Sequence, residues 1–144
     1  MSVKRIALPL LLGFALLAGC TANDTPQAAL DKAVQQLQDN LEAKKTSAVM
    51  AQLHSEFAAQ QQFDQAWAKR TMTLVFLRYK NVKVIALSKE NRIDPTYSTK
   101  GYTEVQVALT GAEGFLPDSA RHYSVRLEWW LEGDEWTLAR LDWQ

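Results

Sequence analysis

The stretch Phe76-Leu77-Arg78-Tyr79-Lys80-Asn81-Val82 decides the fold of this chain, because the hydrophobic period changes within it. Before Asn81, apolar residues recur three or four positions apart, as in a helix, and after it they recur at every second position, as in a strand. Arg78 and Lys80 place positive charge in the last helical turn, where it stabilises the helix dipole. The chain therefore divides into a helical first part and a β second part.

Three helices are predicted ahead of this junction. The first begins with Thr25 as N-cap and Pro26 as first helical residue, and its apolar spacing continues to about Ala43. A short second helix ends near His54, and a third begins near Phe63. The apolar face predicted for the third helix consists of Phe63, Trp67, Leu74 and Leu77.

Four β segments are predicted after the junction, at about 82–89, 102–110, 121–131 and 136–143. The second and third alternate cleanly between apolar and polar residues, so each has one apolar and one polar face. Helices should therefore cover a single face of an antiparallel sheet, which makes the predicted fold class α+β. The first segment has apolar residues on both faces, which leaves its orientation open.

The turn at Gly133-Asp134 sets the predicted pairing of the last two strands. A two-residue loop would place Leu127 opposite Arg140 and mix apolar with charged side chains on one face, so a loop that also includes Glu135 is predicted. The pairs that follow are Leu127 with Leu141 and Trp129 with Ala139 on the inner face, and Arg126 with Asp142 and Glu128 with Arg140 on the outer face.

Four of the five tryptophans lie within the last sixteen residues. Strict alternation points Trp129 inward and points Trp130 and Trp136, together with Leu138, toward the outer face. An outward group of this kind is either an interface for a partner or a second copy, or a cluster that packs on itself and on arginine stems. Trp130, Trp136 and Leu138 are therefore the candidate interface.

The order of the elements resembles the nuclear transport factor 2-like superfamily, also called cystatin-like or ketosteroid-isomerase-like, over residues 28–144. The 76–82 junction and the hairpin Gly133-Asp134-Glu135-Trp136-Thr137-Leu138 contribute to the resemblance. It implies a cone of three helices on a curved four-stranded sheet, a pocket between the long helix and the sheet, and often a dimer through the outer sheet face. The candidate pocket residues are Trp67, Tyr123 and Trp129.

Enzymes of that superfamily carry polar acid and base residues inside the pocket. The predicted inner face offers Thr103, Tyr123 and Thr137 but no carboxylate, so no catalytic residue is assigned. The leading hypothesis is a non-catalytic module that binds a small apolar ligand in the cone, or a protein partner through its outer face. The alternative is a small pocket enzyme, whose candidate residues are Tyr123, Tyr79, Asp94 and His54.

The N-terminal end resembles the signal peptide of a bacterial lipoprotein. Lys4 and Arg5 precede an apolar stretch over 6–17, and Leu17-Ala18-Gly19-Cys20 looks like a lipobox. The resemblance implies cleavage before Cys20, diacylation of its thiol and acylation of the new amino terminus. The predicted organisation is a signal peptide at 1–19, a lipidated tether at 20–25 and one domain at 26–144. The expected location is the outer membrane, facing the periplasm.

Composition argues against several other function classes. Residues 20–144 contain 14 basic and 16 acidic side chains, so no cationic excess favours nucleic acid. Cys20 is the only cysteine, and His54 and His122 are the only histidines, so neither a disulfide nor a usual structural zinc site is expected. No cofactor motif is present. The expected partners are the membrane, a second copy through the outer sheet face and an envelope protein.

The loop that carries Phe115 and Leu116 allows two interpretations. It contains glycines and Pro117, which is typical of an irregular connection. Its two large apolar residues either form a lid over the pocket mouth or pack under the edge of the sheet.

Overall fold

The computed structural model describes residues 25–111 and 121–144. Within these residues, three helices pack against a five-stranded open sheet, which confirms the predicted α+β class. The elements are α1 Pro26–Glu42, α2 Thr46–Gln52, β1 Leu53–Ala59, α3 Gln65–Arg78, β2 Val82–Ile93, β3 Lys100–Gly111, β4 Arg121–Glu132 and β5 Glu135–Trp143. The predicted signal peptide, Cys20 and the loop with Phe115 and Leu116 lie outside the described residues.

Side-chain caps begin two of the helices. The Thr25 hydroxyl accepts a hydrogen bond from the Ala28 N–H at 3.1 Å, and the Asp64 carboxylate accepts one from the Trp67 N–H at 3.0 Å. Each bond satisfies an N–H of the first turn that has no partner within its own helix. The predicted start of α1 is confirmed. Phe63 precedes α3 and lies outside it.

Strand β1 corrects the prediction of four strands, in which His54 lay near the end of a helix. The helix α2 ends at Gln52, and Leu53–Ala59 pairs in parallel with β5. Leu53, Phe57 and Ala59 are buried, as expected for one face of a strand. This segment becomes a strand because β5, far along the chain, supplies its hydrogen-bond partners.

The sheet order is β1-β5-β4-β3-β2, so β1 and β2 are the edges. A bulge after Ala86 resolves the orientation of β2 that the sequence left open. Val84 and Ala86 face the helices before the bulge, and Lys89 and Asn91 face them after it. An extra residue in one strand has this effect because it shifts the alternation of side chains by one position.

The hairpin between β4 and β5 corrects the predicted odd loop. Glu132 pairs with Glu135, so the loop has the two residues Gly133 and Asp134. Gly133 adopts a φ of 60°, a conformation that costs glycine little and suits a two-residue hairpin loop. The odd residue lies instead within β5, where Ala139 has no partner of its own in β4.

The bulge at Ala139 divides the hairpin into two parts. In the part away from the loop, three predicted pairs are confirmed: Leu127 with Leu141, Arg126 with Asp142, and Glu128 with Arg140. In the part next to the loop, Trp129 pairs with Leu138 rather than with Ala139. The outward orientation predicted for Trp136 and Leu138 is therefore wrong, and they are only 6% and 3% exposed. The bulge reverses their alternation.

The helices contribute unequally to the core. Leu30, Val34 and Leu37 on α1 are buried, Leu30 completely. The buried residue of α3 is Ala68, and the apolar face predicted for this helix does not pack as a unit. Its two leucines, at positions 74 and 77, are exposed. No helix in 25–111 or 121–144 has the length and apolarity needed to cross a bilayer.

Candidate functional site

An apolar cavity of about 380 Å³ lies between the helices and the inner face of the sheet. Side chains of α1 and α3 form one wall, and side chains of the sheet form the other. The wall includes Leu37, Leu41, Trp67, Met72, Val105 and Leu127. A cavity of this size and composition is typical of small-molecule sites, which are mostly apolar with few polar groups.

A chain of hydrogen bonds runs from the core beside the cavity to the surface of α1. The Trp129 indole N–H donates to the Thr103 hydroxyl at 3.1 Å, and that hydroxyl donates to the Asn91 side-chain oxygen at 2.7 Å. The Asn91 side-chain nitrogen in turn donates to Asp31 at 3.0 Å, and Gln27 donates to the same carboxylate oxygen at 3.1 Å. Thr103 and Trp129 are fully buried, so these bonds satisfy polar groups that water cannot reach.

Within the described part of the chain, Lys89 is the charged residue of the cavity lining. It faces the cavity because the β2 bulge reverses the alternation that would otherwise turn it outward. Among the described residues, no hydrogen-bond or ion-pair partner is found for its amino group, and the side chain is exposed. An exposed cation beside an apolar wall can attract the anionic end of a ligand whose apolar part enters the cavity.

His54 lies on β1, at an edge of the sheet, and does not line the cavity. Its Nδ1 accepts a hydrogen bond from the Glu56 N–H at 2.9 Å, and its Nε2 lies 2.5 Å from a Glu132 carboxylate oxygen. The ring also makes an edge contact with Trp130, with centroids 4.7 Å apart. Because both ring nitrogens are engaged, this buried histidine has no nitrogen free to act on a substrate.

Asp94, predicted near a turn with Tyr97 and Tyr102, lies in that turn and away from the cavity. Its carboxylate accepts the N–H groups of Thr96 and Tyr97, both at 2.8 Å, and the Tyr102 hydroxyl at 3.2 Å. The Tyr97 N–H, followed by that of Thr96, lowers the pKa of Asp94 because both bonds favour the carboxylate. Burial, followed by the bond to Asp94, raises the pKa of Tyr102. The Asp94 carboxylate therefore stabilises the turn between β2 and β3.

Of the three residues of the candidate interface, Trp130 lies on the outer face. The Arg140 guanidinium lies 4.8 Å from the centre of its ring, and the Lys100 amino group lies 6.0 Å from it. Its indole N–H donates to Glu128 at 2.7 Å. The ring is therefore already covered in part by charged neighbours, and the three-residue surface predicted from the sequence is not formed.

The predicted pocket residues are only partly brought together. Trp67 lines the cavity, and its ring stacks on those of Phe63 and Trp143 at centroid distances of 4.8 and 6.0 Å. Trp129 is buried behind the wall, and Tyr123 pairs with Val107 without lining the cavity. Strand alternation alone indicates only the face of a residue and not its position along the cavity.

A larger hollow of about 730 Å³ extends across the outer face of the sheet, and Lys89 at the sheet edge borders both this hollow and the apolar cavity. The side chains around it carry charges of both signs, among them Glu90, Glu104, Arg126 and Asp142. Glu104 already pairs with Arg92 at 3.5 Å, and Arg126 lies over the ring of Tyr102 at 5.0 Å. Because the hollow combines charges of both signs and two of them already have partners, it favours no single ligand chemistry, and the smaller apolar cavity is the better candidate site.

The chemistry available in the cavity is limited. Among the described residues, neither a carboxylate, a histidine, a cysteine nor a tyrosine lines it, and no cluster of three metal-ligating side chains is found. Tyr79 and Asp94, which the enzyme hypothesis used, both lie outside the lining. The inward orientation of Lys89 and Asn91 was not predicted from the sequence, because it depends on a bulge in β2 that strict alternation does not reveal.

Comparisons with known proteins identify the fold. No protein-family model matches the chain, and no curated protein matches it. A solved structure described as a candidate dehydratase of the nuclear transport factor 2-like family, from Streptomyces avermitilis, matches with a TM-score of 0.69 and 8% identity, over 83% of this chain and 95% of that one. A candidate ketosteroid isomerase from Shewanella frigidimarina matches with a TM-score of 0.62 and 14% identity, over 85% and 98%.

The structure of Bd1075 from Bdellovibrio bacteriovorus also matches, with a TM-score of 0.68 and 11% identity over 80% of this chain. This chain spans only 40% of that longer protein. Identities this low carry the fold and not the activity. The domain therefore has the nuclear transport factor 2-like cone fold, with a five-stranded rather than a four-stranded sheet.

Proposed function

We propose that this chain is a lipid-anchored protein of the bacterial cell envelope that binds a small apolar molecule in its cone without transforming it. The observation that carries the binding part of the proposal is the apolar cavity of about 380 Å³, whose described lining lacks carboxylate, histidine and tyrosine side chains. The lipobox-like Leu17-Ala18-Gly19-Cys20 supports the anchor. Burial of a ligand's apolar surface is the main driving force that such a wall can provide, at about 25 cal/mol per Å².

Lys89 suggests which apolar molecules bind best. A molecule with a hydrocarbon chain and one anionic end would bury the chain against Val105 and Leu127 and place its anion at the Lys89 amino group. A carboxylate or a phosphate at that end would serve equally. The Thr103 hydroxyl is less suited to ligand binding, because it already accepts from Trp129 and donates to Asn91.

The alternative, a small pocket enzyme of the ketosteroid-isomerase type, has less support. Two similar structures are described as a candidate dehydratase and a candidate isomerase, and the fold alone connects them to this chain. Both nitrogens of His54 are engaged and Asp94 holds a turn, so neither is placed to transfer a proton in the cavity. Lys89 would have to supply any acid or base.

A variant that fills the cavity tests the binding proposal. Ala86→Trp places a large ring in the cavity from an exposed position on β2, and we expect it to weaken the binding of dodecanoate at least tenfold because the ring takes the ligand's place. Isothermal titration calorimetry with dodecanoate measures the effect. The neighbouring variant Ile85→Trp, on the outer face, is the matched control and should bind like the unaltered protein.

Lys89→Gln separates the two parts of the same proposal. We expect it to weaken dodecanoate binding about three- to tenfold and to leave dodecanol binding unchanged. Only dodecanoate carries a negative charge that the Lys89 amino group can attract. Equal binding of dodecanoate by the unaltered protein and by Ala86→Trp would refute the cavity as the site. Unchanged dodecanoate binding by Lys89→Gln would refute only the role of the amino group.

Lipidation of Cys20 is tested separately. We expect mass spectrometry of the protein from membranes to find an N-terminal peptide that begins at Cys20 and carries acyl groups. The Cys20→Ser variant should leave the membrane fraction or remain unprocessed, because acyl chains contribute about 0.8 kcal/mol of membrane binding per buried methylene. An N-terminal peptide without acyl groups would contradict the anchor and would not affect the result for the cone.

A further inference from the structure

Charge is distributed unevenly along this chain. Residues 65–89 contain six basic and no acidic side chains, whereas the rest of 20–144 contains eight basic and sixteen acidic ones. The six are Lys69, Arg70, Arg78, Lys80, Lys83 and Lys89. The stretch comprises α3, the junction after it and the first part of β2. A domain that is close to neutral as a whole therefore has one cationic region.

The same stretch exposes large apolar side chains. Leu74 and Leu77, both on α3, are 68% and 80% exposed. Arg70, Leu74 and Leu77 are spaced at i, i+4 and i+7, so they share one side of α3, and Arg78 follows Leu74 by one turn. We call these four residues the α3 stripe. All four residues are exposed, so the stripe faces solvent, although Trp67, on the same side one turn before Arg70, is half-buried and lines the cavity.

The end of α3 adds an aromatic ring and further cations beside the stripe. Lys44 donates hydrogen bonds to the backbone carbonyls of Phe76 and Tyr79, which brings its charge to the helix end. The Arg78 guanidinium lies 5.6 Å from the centre of the Tyr79 ring, and Tyr79 is 40% exposed. Lys80 follows and is exposed. Exposed aromatic rings, leucines and cations together are typical of surfaces that contact membrane headgroups.

We propose that the α3 stripe binds an anionic phospholipid bilayer. Leu74 and Leu77 would enter the boundary between headgroups and acyl chains, while Arg70 and Arg78 would donate hydrogen bonds to lipid phosphates. Two exposed leucines alone could contact any apolar surface. Because residues 65–89 contain basic but no acidic side chains, the partner favoured here is one that is also negatively charged.

A second copy of this chain fits the stripe less well. A two-fold contact through it would bring Arg70 and Arg78 of one copy against the same residues of the other, and like charges at a contact oppose association. The proposal also goes beyond the proposed function. Acyl chains on Cys20 would hold the protein near a membrane, whereas the stripe would decide which side of the domain faces it, with or without a ligand in the cone.

The test uses the full chain with Cys20→Ser, in which an introduced cysteine is the only thiol. Leu77→Cys is labelled with a nitrobenzoxadiazole dye and mixed with vesicles of phosphatidylglycerol or of phosphatidylcholine. The control is Tyr97→Cys, 60% exposed in the turn between β2 and β3. Residues 6–17 are common to all variants, so the readout is the difference between the two positions. Circular dichroism checks that each variant is folded.

We expect the dye at position 77 to shift to the blue in phosphatidylglycerol vesicles and much less in phosphatidylcholine, and the dye at position 97 to shift in neither. The double variant Arg70→Glu and Arg78→Glu should weaken vesicle binding more than tenfold, because each arginine near an anionic surface contributes about fivefold to the affinity. The proposal is overturned if both positions respond alike, if the response ignores lipid charge, or if size-exclusion chromatography without lipid finds a dimer that Leu77→Ser dissociates. A negative result leaves dodecanoate binding in solution unaffected, so the two proposals fail separately.

Discussion

Trp129→Ala is expected to destabilise the fold by about 3–5 kcal/mol, the range for truncating a buried tryptophan. Trp129 is completely buried and packs in the main core cluster, so its removal leaves a void that the surrounding side chains cannot close. The change also deprives the buried Thr103 hydroxyl of the hydrogen bond that it accepts from the indole at 3.1 Å. Chemical denaturation with urea measures the change.

The neighbouring Trp130 provides the control for this prediction. Trp130 lies on the outer face, half-buried among charged side chains, so Trp130→Ala should cost less, about 1–2 kcal/mol. Trp129→Phe and Thr103→Val, singly and together, isolate the hydrogen bond, and their effects should be non-additive by about 1 kcal/mol. Equal costs for the two alanine variants would contradict the placement of Trp129 in the core.

Leu30→Ala is the second large effect, with an expected cost of about 2–5 kcal/mol. Leu30 is completely buried on α1, where its side chain lies against Gly101 at the start of β3. A Cβ on Gly101 would come within 2.8 Å of one Leu30 methyl carbon and 3.3 Å of the other. The helix and the sheet therefore approach closely at this point, and the leucine fills the space that the glycine leaves.

A double-mutant cycle tests this close approach. Gly101→Ala should cost about 1–3 kcal/mol by overpacking in the unaltered protein, because the fully buried Leu30 has little room to move. In the Leu30→Ala background the same change should cost less, since the methyl groups that it would meet are gone. Thermal unfolding of the four proteins measures the coupling. Additive costs would show that Gly101 and Leu30 do not share this space.

The cavity and the core have separate determinants, which makes the functional tests practicable. Ala86 and Lys89 are exposed residues on the edge strand β2, so changing them should leave stability within about 0.5 kcal/mol. Trp129 and Leu30 carry the stability and do not line the cavity. Loss of ligand binding in the two β2 variants can therefore be attributed to the cavity.

The candidate site was only partly predictable. Trp67 was identified from helical spacing and does line the cavity. Tyr123 and Trp129 were placed on the inner face, yet neither reaches the cavity, because the position of a residue along the sheet depends on how the helices cross it. The polar chain from Trp129 through Thr103 and Asn91 to Asp31 joins three strands and α1, so no single segment contained its pattern.

The local sequence by itself determined the features whose physical cause lies within a few residues along the chain. The cap at Thr25 starts α1, the change of period at Asn81 ends the helical part, and the alternation in β3 and β4 sets one apolar face. These features follow from the spacing of apolar residues and from backbone groups that need a partner nearby.

Only the tertiary structure decided the remaining features. Leu53–Ala59 is a strand because β5 pairs with it from the far end of the chain. Trp136 and Leu138 are buried because a bulge in β5 reverses the alternation of side chains, and Lys89 faces the cavity because a bulge in β2 does the same. A bulge forms where curvature and packing between strands require it, and the side-chain pattern of one strand does not contain that requirement.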